Sequence, residues 1–70
     1  MKRHEVTEAE MDKWLAAQQE RWHEFARSYG NGSEKELYIK GDLYRVVDHG
    51  ATINIGAVKA TAIREYNSRD

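Results

Sequence analysis

The sequence predicts an α+β fold in which a long N-terminal amphipathic helix packs on a three-stranded antiparallel β-meander and a short helix closes the chain. Three observations predict it. Apolar residues recur at helical spacing between Met11 and Tyr29, a glycine-rich break occupies Gly30-Asn31-Gly32-Ser33, and beyond it the apolar pattern changes to the alternation of strands.

The helix is expected over residues 7–29. Thr7-Glu8-Ala9-Glu10 has the form of a capping box, in which Thr7 satisfies an orphan amide and Glu10 reaches back to the Thr7 amide, with Val6 and Met11 placed to staple the first turn. At about 100° per residue, Met11, Trp14, Leu15, Gln18, Trp22, Phe25, Ala26 and Tyr29 fall in one arc, in which Gln18 is the polar exception. The opposite surface is charged, with Glu24 three residues from both Arg21 and Arg27. The glycines at 30 and 32 tolerate positive φ, so the helix is expected to stop near Tyr29.

Three short runs of β-formers follow, at about residues 36–40, 43–48 and 51–55. Gly41-Asp42 and His49-Gly50 separate them at the spacing of tight hairpins, which predicts a meander. Leu37, Ile39, Ile53 and Ile55 are expected to share the buried face. The middle strand is ambiguous, because Leu43 and Val47 point one way while Tyr44 and Val46 point the other. Residues 57–67 are rich in helix formers, with Val58, Ala62 and Tyr66 on one side; a fourth strand through Lys59 to Tyr66 is the alternative.

Seventy residues, 40% hydrophobic and 33% charged, are expected to form a single domain spanning 1–70. In a chain of this size apolar burial barely exceeds chain entropy, which makes a homodimer an expectation too. A formal net charge of −1 argues against a strongly basic nucleic-acid binder and against an acidic DNA mimic. The lack of cysteine removes thiol catalysis, disulfides and cysteine-ligated zinc, and fits a reducing compartment such as the cytoplasm. No apolar run is long enough to cross a membrane.

The chain offers no catalytic, metal or cofactor motif, so an activity as an enzyme is not expected. His4, His23 and His49 lack ligand spacing, and His23-Glu24 departs from the zinc-protease helix pattern because position 27 is Arg27 rather than a second histidine. Asp48 and His49 read as turn residues, since adjacent strand positions point to opposite faces. Gly30 to Ser33 follows a predicted helix, whereas phosphate-binding loops follow a strand and open a helix.

What the sequence favours is a protein-binding module. Two tryptophans on one stripe read first as core anchors, and they are a heavier apolar load than a small sheet needs; if the sheet covers only part of the stripe, the expected interface is Trp14, Gln18 and Trp22 on the helix, or Tyr38, Lys40, Tyr44 and Arg45 on the sheet. The segments Tyr44-Arg45-Val46-Val47-Asp48-His49-Gly50 and Ala62-Ile63-Arg64-Glu65-Tyr66-Asn67 resemble, in size and style, the small accessory proteins of bacteriophages. That resemblance implies an inhibitor of a host enzyme or defence complex. The alternative is a small nucleic-acid-binding domain. The predicted order helix, three strands, helix resembles the double-stranded-RNA-binding domain. That family, however, has a basic cluster opening its second helix and a histidine loop between its first two strands. Here Lys59 stands alone and His49 follows the second strand. A sheet-face variant would place Lys40, Arg45, Tyr38 and Tyr44 against phosphate and base, with Glu34, Glu36, Asp42 and Asp48 opposing it.

Overall fold

A computed structural model of the protein describes residues 5–15, 21–30 and 32–69. Helix α1 (Glu8–Leu15) is followed by strands β1 (His23–Gly30), β2 (Ser33–Lys40), β3 (Leu43–Asp48) and β4 (Ala51–Gly56), and helix α2 (Lys59–Asn67) closes the chain. The strands form one antiparallel sheet in the order β1-β2-β3-β4. The fold is α+β, but the long N-terminal helix is absent. α1 is described over Glu8–Leu15, residues 16–20 lie outside the described residues, and residues 23–29 of the expected helix belong to strand β1. Both helix–strand–helix readings built on three strands, including the likeness to the double-stranded-RNA-binding domain, are corrected with it.

The reason lies in residues 22–33. Trp22, Phe25, Ala26 and Tyr29 fit a helical stripe, yet Phe25 and Tyr29 are equally strand formers, and Asn31-Gly32 between two such runs is a strong hairpin signal. Pairing with β2 decides between them. Without β1, the backbone of β2 would form a long open edge; with it, Gly30 meets Ser33 and His23 meets Ile39 across a continuous ladder. A bulge at Phe25 lets Glu24 pair with Tyr38 and Ala26 with Leu37, so Glu24 and Arg27 share one face although they are three residues apart. Their expected i,i+3 ion pair therefore exists, but on a bulged strand. The later hairpins sit where the glycines predict. His49 and Gly50 have φ of 57° and 76°, the positive pair of a primed turn, and Gly41 has φ of 61°.

One face of the sheet carries the core. Leu37 and Ile39 of β2 face Val46 and Tyr44 of β3, and with Ala26 they pack against Val6 and Met11 at the start of the chain and Ala62 and Tyr66 of α2. Tyr44 and Val46 are thus the inward residues of the ambiguous middle strand. A second bulge, at Ile53, sets Asn54 opposite Val46 and Thr52 opposite Val47. Ile53 packs on the core, whereas Ile55 pairs with Arg45 on the other face and stands 60% exposed, so the two isoleucines do not share a surface as expected. Residues 59–67 are helix rather than a fourth strand, with Ala62 and Tyr66 buried and Val58 left exposed before the first turn.

The chain ends are tied together. The capping box forms, with the Thr7 amide donating to Glu10 Oε1 at 3.0 Å and the Glu10 amide to Thr7 Oγ1 at 3.3 Å, above the buried pair Val6 and Met11. Asn67 then clamps Val6 as a neighbouring strand would: the Val6 amide donates to Asn67 Oδ1 at 2.9 Å and Asn67 Nδ2 donates to the Val6 carbonyl at 3.0 Å. Lys59 pairs with Asp12 between the two helices, and Asp12 raises the Lys59 ammonium above its ordinary value.

Candidate interaction surface

Both helices lie on the core side, so the opposite face of the sheet is uncovered by any element among the described residues. Alternation places Glu34, Glu36, Tyr38 and Lys40 of β2 on this open face, and the pairing register adds Glu24, Arg27 and Tyr29 from β1, Leu43, Arg45 and Val47 from β3, and Ile55 from β4.

Charge on this face is divided. At one corner, toward the turn that joins β1 and β2, Arg27 sits among Glu34, Glu36 and the carboxylate of Glu24, which reaches it from the row of Tyr38 and Arg45, and its guanidinium is 2.8 Å from Glu34 and 3.0 Å from Glu36. Hydrogen bonds to Glu24 and then Glu34 hold the guanidinium well above its ordinary value. Three carboxylates against one cation leave this corner negative. At the diagonal corner, where β2 turns into β3, the ring of Trp22 has Lys40 Nζ and Arg45 Cζ each 5.9 Å from its centroid, at the outer range of a cation–π contact. Arg45 Nε also donates to Thr52 Oγ1 at 2.9 Å, which fixes its direction along the face. Tyr38 lies between the corners, and partial burial, with the neighbouring Glu36 second, pushes its phenol above the ordinary value. Exposed apolar groups flank both: Tyr29, 71% exposed, beside Glu34, and Leu43 and Ile55 beside Lys40 and Arg45.

Of the residues singled out in the sequence, Trp22, Tyr38, Lys40 and Arg45 converge here. Tyr44 does not. It is 5% exposed and faces the helices, because the register sets it opposite Ile39. Trp14 belongs to α1, and Gln18 lies outside the described residues, so the expected stripe through Trp14, Gln18 and Trp22 is replaced by a sheet-face cluster. Sequence reasoning missed Glu24, Arg27 and Tyr29 as parts of the surface, because it assigned them to a helix. It read Glu34 and Glu36 as charge opposed to nucleic acid, although their alternation with Tyr38 and Lys40 already put them on that face.

Among the described residues no helix is long and apolar enough to cross a membrane, and no cluster of His, Asp and Glu is arranged to hold a metal ion. Comparison with family models, with curated proteins and with solved structures finds no match to this chain.

Proposed function

We propose that the protein is a non-enzymatic protein-binding module whose binding surface is the open face of its sheet. The observation that carries this reading is the composition of that face: both signs of charge, two tyrosines, and exposed Leu43 and Ile55 on one sheet, with Trp22 just before β1, and no covering layer among the described residues. Protein interfaces are built from aromatic and arginine anchors within a polar rim, and a rigid sheet presents them with little ordering cost. The target class implied by the resemblance to phage accessory proteins is a host enzyme or defence complex.

A second reading, nucleic-acid binding, is favoured by one observation, the grouping of Trp22, Lys40 and Arg45 at a single corner with Tyr38 in register beside Arg45, which could stack a base and contact phosphate. Glu24, Glu34 and Glu36 on the same face oppose a polyanion laid across it. One experiment separates the two. Immobilised protein is expected to retain a protein partner from bacterial lysate and to lose it on Trp22→Ala or Arg45→Ala with circular dichroism unchanged. Nucleic acid retained instead, with an affinity that falls steeply with salt, would replace the first reading with the second.

A further inference from the structure

We infer that the partner of the open face is a second copy of this chain, packed face to face about a two-fold axis. The inference rests on the protein-binding reading and assigns the face to a second copy in place of the host target that the phage resemblance implies. The divided charge carries it. Glu24, Glu34 and Glu36 around Arg27 make one corner negative, while Lys40 and Arg45, against the single carboxylate of Asp42 in the adjoining turn, leave the diagonal corner positive. A two-fold axis lying in the interface and crossing that diagonal turns the face over and brings each negative corner onto the positive corner of the other copy. An isologous interface must be self-complementary, and this face is. A partner of one sign meets repulsion at one corner whichever way it docks, and like charges across an interface act against the wrong partner.

The apolar groups follow the same geometry. Tyr29 at the negative corner would meet the second copy's Trp22, Lys40 and Arg45, an aromatic ring against a tryptophan already faced by cations. A standard interface takes about 800 Å² from each partner. That is about a fifth of the 4385 Å² surface of this chain, a share that one face of a two-layer molecule can supply.

The test is sedimentation equilibrium of the full chain with two charge-reversed variants, Lys40→Glu/Arg45→Glu and Glu34→Lys/Glu36→Lys. The wild type is expected to form a reversible dimer that weakens with added salt, since the pairs lie near solvent. Each variant alone should associate at least tenfold more weakly, because all corners then carry one sign. Mixed in equal amounts, the two should recover a dimer, since every contact becomes an attraction. Should either variant fail to fold, Tyr29→Ala provides the second probe, as its ring is exposed and its loss is expected to weaken the dimer several-fold without changing the circular dichroism. A wild type that stays monomeric at millimolar concentration, or a dimer indifferent to Tyr29→Ala and to both reversals, overturns the inference. In the monomeric case, capture of a different protein that Arg45→Ala abolishes would leave the protein-binding reading standing, whereas absence of any such capture would remove both.

Discussion

Lys35 shows how a single side chain ties the two layers together. It lies on the core side of β2 and is fully buried, yet its Nζ donates to the Tyr66 carbonyl at 2.8 Å and sits 4.2 Å from the centre of the Tyr66 ring. The last carbonyls of a helix lack intrahelical donors and carry the negative end of its dipole, so a lysine placed there satisfies an acceptor and faces a favourable field. Its methylene stem meanwhile fills core volume. Lys35→Ala removes the stem and the donor together and is expected to cost about 2–4 kcal/mol in a denaturant titration. Lys35→Met keeps most of the volume and should cost less, losing chiefly the hydrogen bond to the Tyr66 carbonyl, which still accepts from the Arg69 amide at 3.3 Å. On the open face, the Tyr38 phenol titrates above its ordinary value because partial burial and Glu36 disfavour the phenolate. A folded-state value above the unfolded one means that its contribution is intact below the unfolded value, about 10, and is lost as pH rises through the folded value. Tyrosinate absorbance should therefore show a late step that Tyr38→Phe removes; a step unchanged in that variant would show that Tyr38 is not the shifted phenol.

At the scale of elements, turns and caps hold the sheet in register. His49 occupies φ of 57° without being glycine, a conformation that asparagine reaches more readily. His49→Asn is expected to raise stability by about 0.5–1 kcal/mol, and Gly50→Ala, at φ of 76°, to lower it by about 1 kcal/mol, both read from thermal unfolding. Asn67→Ala breaks both bonds to the Val6 backbone and should cost about 1–3 kcal/mol, with faster amide exchange in α1 as the specific sign that this clamp holds the N-terminal helix. These elements were unequally legible in the sequence. Thr7 to Glu10 announced a helix start, and Gly41 and Gly50 announced the later hairpins, because each signal is local. The course of 22–30 was not legible from periodicity, because Trp22, Phe25, Ala26 and Tyr29 satisfy a helical stripe while the pairing that makes them a strand depends on β2. The bulges at Phe25 and Ile53 hid further facts, since one extra residue reverses which neighbours share a face. The candidate site was half visible: Tyr38, Lys40 and Arg45 were found as chemistry, but their union with Trp22, and the exclusion of Tyr44, came from the register.

At the scale of the whole molecule, the helices cover one side of a four-stranded sheet, and no element among the described residues covers the other. A two-layer domain ordinarily solvates its bare face with polar residues, and here that face instead combines ion pairs, a tryptophan ring with two cations near it, and exposed Tyr29 and Ile55. The proposed binding surface therefore lies on the sheet and not on the helices. The most direct measurement is a map of backbone-amide NMR shifts as the protein is concentrated from dilute solution. Shifts centred on Glu36, Tyr38, Lys40 and Arg45, with little change at Arg64 on the outer side of α2, are the predicted result. Shifts confined to α1 and α2, or none at any concentration or with a captured partner, would contradict it.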